Sequence, residues 1–182
     1  MYSGEDFTEG ETMKKIITKP IVLSSLGVIL GILSKYGDIA YSNSIYSYFG
    51  LLSSGLLIWL LFCTVIICIA GDKRHAMKLI TCLMLPMLIA YYIYSYFIVE
   101  YLSLRVTLFW LAMLIVSLIL TNFVFDLRNK TCFKVLFIIA SFLTIVYDAI
   151  YINGVNFLII IPEIIMSLAV LWHINKSISK TS

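Results

Sequence analysis

Four ionisable side chains stand where an apolar chain has least use for them. Lys35, Asp38, Asp148 and Glu163 each lie inside, or at the edge of, a long hydrophobic run. A carboxylate ionised at a bilayer centre costs from ~2.5 kcal/mol on insertion scales to far more in simulations, so such a group must be protonated, paired or turned toward a wet cavity. Glu163 is the deepest: counted from Val155, it lies ~12 Å along its helix. Pro162, directly before it, lacks an N–H and should kink that helix. Asn156, Glu163 and Ser167 share one stripe at helical spacing. Ser141, Thr144, Asp148 and Tyr151 share another, with Asp148 ~21 Å beyond Lys134. A polar stripe within a span faces protein or water, not lipid. Lys35 is the natural counter-charge for Glu163 or Asp148. Three acids against one lysine suit a ligand with a cationic or hydrogen-donating group. The chemistry open to this set is the orientation of a small molecule, a proton or ion relay, or an internal salt bridge that fixes helix packing.

Tyrosine is the second unusual feature. Apart from Tyr2, every tyrosine falls in one half of the apolar runs or in the loops at that end: Tyr36, Tyr41, Tyr46, Tyr48, Tyr91, Tyr92, Tyr94, Tyr96, Tyr101, Tyr147 and Tyr151. An interfacial aromatic belt accounts for such a cluster. So does a tyrosine-lined cavity, in which Tyr36, Tyr92, Tyr96 and Tyr147 supply apolar area with hydroxyl handles. Glu100 and Arg105 bracket a loop and read as solvated ends.

The elements that must position these groups are membrane helices. Hydrophobic residues make up 62% of the 182, charged residues only 13%, and mean hydropathy is +1.02. A soluble core needs no such apolar excess, and the runs do not alternate as barrel strands do. The expected fold is an all-α bundle of six transmembrane helices at roughly 20–38, 47–70, 76–98, 106–125, 134–152 and 155–174. Each is long enough, at ~1.5 Å per residue, for a ~30 Å hydrocarbon layer. Residues 1–15 read as a flexible acidic tail, 16–176 as a single membrane domain and 177–182 as a short second tail. No signal peptide is expected, since no small-residue cleavage site follows the first apolar run.

Basic residues set the orientation. Lys14, Lys15, Lys19, Lys73, Arg74, Lys78, Arg128, Lys130, Lys134, Lys176 and Lys180 fall at one end, leaving Lys35 and Arg105 at the other. The positive-inside rule then places both termini in the cytoplasm of a multi-pass cell-membrane protein. The basic residues serve topology, so no nucleic-acid partner is expected. Cys63, Cys68, Cys82 and Cys132 lack metal-site spacing and read as reduced packing residues. No metal site, cofactor or catalytic residue is expected: hydrolase, metalloprotease and phosphate-loop motifs are all missing.

Ser24, Gly27 and Gly31 form a small face on the first span. Small residues let helix backbones approach closely, and this face could receive span 2 or a separate membrane protein. Span 3 carries Pro86, a kink that could help line a cavity.

Two resemblances follow from these residues. The run GILSKYGD (31–38), with the tyrosine-rich third span, resembles a group of small, functionally uncharacterised six-span membrane proteins of low-GC Gram-positive bacteria. That likeness covers the whole chain and implies no activity. The architecture is also similar to the substrate-binding S components of energy-coupling factor transporters. The similarity implies an outward site for a small molecule. It also implies a docking face at Ser24, Gly27 and Gly31 for a shared transmembrane coupling subunit.

Two functional readings therefore stand side by side. One is a binding or transport subunit with an outward-facing, tyrosine-lined polar site that works with a partner. The other is a non-transporting accessory subunit whose buried charges fix helix packing or complex assembly.

Overall fold

The computed structural model describes residues 19–39, 55–100, 103–152 and 157–179. Its described residues form six α-helices and no strand: α1 (Pro20–Ile39), α2 (Leu56–Ile69), α3 (Lys73–Ile98), α4 (Leu104–Val124), α5 (Thr131–Tyr147) and α6 (Phe157–Ser179). A 3-10 turn, Phe125–Leu127, joins α4 toward α5, and a π-helical turn, Asp148–Ile152, continues α5. Residues 47–54, expected at the start of the second span, lie outside the described residues.

The chain is a membrane protein by its helices. Lys73–Ile98, Leu104–Leu127, Thr131–Ile150 and Phe157–Lys176 are each long and apolar enough to cross a bilayer. Large hydrophobics point outward along them, among them Phe97, Leu104, Phe123, Phe142 and Leu158. Such a surface is stable only against hydrocarbon or another apolar partner. Pro86 is accommodated inside α3 and Pro162 inside α6.

The core is built around α2. Its Leu57, Trp59, Leu61, Thr64, Ile66 and Ile67 are buried, and α3, α4, α5 and α6 all pack on it. It is apolar on every side, as a helix enclosed by others must be. The link from α2 to α3 is only Ala70–Asp72, so the two run antiparallel. Asp72 stops the turn by accepting the His75 N–H at 2.7 Å, the usual capping arrangement for the first free amides of a helix. An ion pair at 2.8 Å between Lys73 and Asp126 ties the start of α3 to the α4–α5 turn. Both groups are partly exposed, so this contact adds little stability.

Arg128 closes the far end of α2. Its Nη1 donates to the carbonyls of Ile67, at 3.3 Å, and Ala70, and its guanidinium lies 4.1 Å from the centroid of the Phe125 ring. These are among the carbonyls that a helix C-terminus leaves without partners, and a cation there also complements the helix dipole. Arg128→Gln is therefore expected to lower stability by about 1–2 kcal/mol. Thermal unfolding in detergent checks this, with Lys130→Gln, at an exposed residue, as the control that should shift little.

Candidate functional site

Asp148 is fully buried, at 0% exposure, and its carboxylate has a defined task. Oδ1 accepts the Leu56 N–H at 3.3 Å and Oδ2 accepts the Leu57 N–H at 3.2 Å. It thus caps the N-terminus of α2 from a site more than ninety residues away in the chain. Gly55, the residue at the local capping position, has no side chain to do so. The positive end of the α2 dipole and two otherwise free amides account for a carboxylate at this depth. The step from α-helix to π-helix at Asp148 widens the turn where this side chain leaves α5.

Asp148 and Arg128 flank α5, and each binds one end of α2. The seventeen residues of α5 extend ~26 Å, against ~21 Å for the fourteen of α2. The longer helix therefore reaches past both ends of its antiparallel neighbour. One polar contact is made at each end.

Glu163 is buried to 1% exposure, and neither carboxylate oxygen has a hydrogen-bond partner among the described residues. It is near enough to Asp148 for the two to interact electrostatically. Its helix, α6, packs on α2 and α5. Ser167 shares its stripe, but the Ser167 hydroxyl donates to the Glu163 backbone carbonyl at 2.9 Å, leaving the carboxyl untouched.

Comparisons with protein-family models, with curated proteins and with solved structures find no match. Geometry alone therefore carries the functional reading.

Lys35 is not the counter-charge expected for either acid. Its ammonium lies 5.0 Å from the centroid of the Tyr91 ring, a cation–π contact between α1 and α3. The reason is topological: α1 packs along α3, while the two acids sit where α2, α5 and α6 meet. Asp38 lies in α1, but its side chain is outside the described residues.

The tyrosines divide as well. Tyr36 and Tyr94, with Ile39, Ile98 and Val99, line a cavity of about 480 Å³ at the C-terminal ends of α1 and α3. The Tyr92 hydroxyl donates to the Val106 carbonyl at 3.4 Å and ties α3 to α4. Tyr96 is 64% exposed and stacks edge-on against Phe97, away from any polar group of the set. Tyr147 is partly exposed at the end of α5. Of the expected ligand-binding residues whose side chains are described, only Tyr36 lines the cavity it shares with Tyr94, and Asp148 and Glu163 lie apart from it where α2, α5 and α6 meet. Glu100 and Arg105 form no ion pair with each other.

The small face of α1 has a partner that sequence reasoning did not choose. A Cβ at Gly27 would overlap the Leu83 carbonyl oxygen, and one at Gly31 would overlap that of Met87. Among the described residues, Gly27 and Gly31 of this face seat on α3, two helices on; residues 47–54, the expected receiving stretch of span 2, lie outside them. Ser24, one turn earlier, is half-buried.

Sequence reasoning also missed Arg128 and Trp59. Arg128 counted only as a topology charge. Its position twenty residues before Asp148, across one helix length, was the available signal. Trp59 stacks on Trp110 with ring centroids 4.8 Å apart, yet its buried Nε1 has no acceptor among the described residues.

Proposed function

We propose that the chain is an accessory subunit of the cell membrane. It has six spans, both termini in the cytoplasm, and buried charges that hold its own helices in register for assembly with another membrane component. The observation that carries this reading is the Asp148 carboxylate, which is taken up by the two amides at the start of α2. A carboxylate in that position orients a helix and has no oxygen turned to a ligand. Lys35, over the Tyr91 ring, supports it in the same way. The basic residues near the described ends of α3 and α5 support the orientation.

A second reading, a binding or transport subunit with an outward tyrosine-lined site, keeps one specific support. This is the Glu163 carboxyl, which has no partner among the described residues, together with the Tyr36–Tyr94 cavity.

Glu163→Gln and Lys35→Met separate the two. On the accessory reading, both alter folded yield or the recovery of an assembled complex from native membranes, and no small molecule is lost with them. A co-purifying small molecule that disappears in both variants, at unchanged folded yield, overturns it in favour of the second.

A further inference from the structure

The α3 helix is longer than a bilayer requires. Its 26 residues extend ~39 Å, against a ~30 Å hydrocarbon layer. The uncharged part, Leu79–Ile98, covers that layer by itself at ~1.5 Å per residue, which leaves Lys73–Lys78 at headgroup level. There Asp72, Lys73, Arg74, His75 and Lys78 line an open recess of about 640 Å³.

We propose that this recess binds the phosphate of an anionic phospholipid between the Arg74 guanidinium and the Lys78 ammonium, with the acyl chains of that lipid lying along the exposed stripe of α3. The inference needs only that α3 crosses a bilayer, and it stands apart from the accessory role.

Three observations support it. The first is an unanswered pair of charges. Lys73 is engaged by Asp126 at 2.8 Å. Arg74 and Lys78 are exposed and have no ion-pair or hydrogen-bond partner among the described residues. They are four residues apart, so the two like charges are neighbours on one face, an unfavourable arrangement in a helix. An anion between them replaces that repulsion with two attractions, and a guanidinium matches the geometry of a phosphate.

The second is the sign and size of the charge. Asp72 also lines the recess, but its carboxylate accepts the His75 N–H and caps the helix. The site is therefore made of side chains, and Arg74 and Lys78 together exceed Asp72 by one positive charge. A phosphodiester carrying one negative charge balances it. A choline headgroup brings a cation of its own and does not.

The third is the continuation of the face. Leu85, Ile89 and Ile93 extend the Arg74–Lys78 stripe at helical spacing, and all three are exposed. Leu85 lies ~10.5 Å and Ile89 ~16.5 Å beyond Lys78, which is about the depth of one leaflet. An acyl chain descending from a headgroup at Lys78 runs beside both. Free phosphate gains nothing from that apolar stripe, whereas a lipid does.

The test uses the full chain in detergent with equal amounts of phosphatidylglycerol and phosphatidylcholine, released into native mass spectrometry. Preferential retention of one phosphatidylglycerol per chain is expected. Arg74→Gln and Lys78→Gln, both at exposed side chains, should each weaken that retention about fivefold, the value of one basic residue at a membrane surface. Lys78→Arg should keep it, and Lys130→Gln should leave it unchanged.

A second measurement leaves the chain unaltered. Phosphatidylglycerol with a photoreactive diazirine in one acyl chain is cross-linked to the protein in nanodiscs, and the labelled peptides are mapped. Adducts concentrated on Leu85–Ile93 support the proposal. Adducts spread evenly over the outward faces of α4, α5 and α6 overturn it. So do equal retention of the two lipids, retention that the Arg74→Gln, Lys78→Gln double variant leaves unchanged, and displacement of the lipid by an equal concentration of inorganic phosphate.

Discussion

Asp148→Ala is expected to cost this protein about 2–4 kcal/mol, the largest loss from any single polar side chain. Two backbone amides at the start of α2 would be left buried without acceptors, and each such group costs ~1–3 kcal/mol. The anion that complements the α2 dipole would go with them. Asp148→Asn retains one acceptor oxygen and should fall about midway. Asp148→Glu should also destabilise, because a longer side chain cannot seat both oxygens on the same two amides. Thermal unfolding followed by size-exclusion recovery measures the series. The order wild type, Asn, Ala is the expected one, and an Asn variant as stable as wild type would show that the charge is dispensable. Because α2 is packed on by four other helices, its loosening should lower folded yield and not merely the melting temperature.

The second large effect is at the α1–α3 seam. Gly31→Leu places a Cβ against the Met87 carbonyl oxygen, and a backbone atom cannot move aside as a rotamer can. The helices must separate, at a cost of about 1–3 kcal/mol from overpacking, to which lost contact along the seam is added. Gly27→Leu meets the Leu83 carbonyl in the same way. Val28→Leu, on an exposed face of α1, is the control and should change little. A pair of cysteines introduced across the seam in a cysteine-free background reports the separation directly. Cross-linking should be efficient alone and fall sharply when combined with Gly31→Leu. If cross-linking persists, α1 does not depend on the glycines for its seat on α3.

Both effects come from helix pairing in a solvent that supplies little drive toward one partner over another. Between apolar helices in a membrane, close packing and hydrogen bonds decide which pairs form. Gly27 and Gly31 can therefore be recognised as a contact face from spacing alone. That spacing does not say whether the contact is to span 2, span 3 or another protein. In the same way, Asp148 and Glu163 can be recognised as buried acids from their depth along their helices. Their separate fates depend on what each meets: Asp148 meets two amides, while Glu163 meets no donor among the described residues.

Charge and side alone pair Lys35 with these acids. The structure sets Lys35 over Tyr91 instead, because charge and side are properties of single residues, whereas an ion pair is a property of two helices in contact. The α1 helix is committed to α3 along its small face, and that commitment carries Lys35 onto Tyr91.

Hydropathy and helical period are read one segment at a time, and they suffice for what the amino-acid sequence determined alone. This comprises an all-helical membrane chain, the approximate extents of its helices, the end on which its basic residues gather, and the few polar groups that lie too deep to be solvated. The tertiary structure decided which helix encloses which. It made α2 the centre, placed Asp148 and Arg128 at its two ends, and set α1 against α3. Each of these outcomes depends on the fit between segments far apart in the chain, and local composition does not encode that fit.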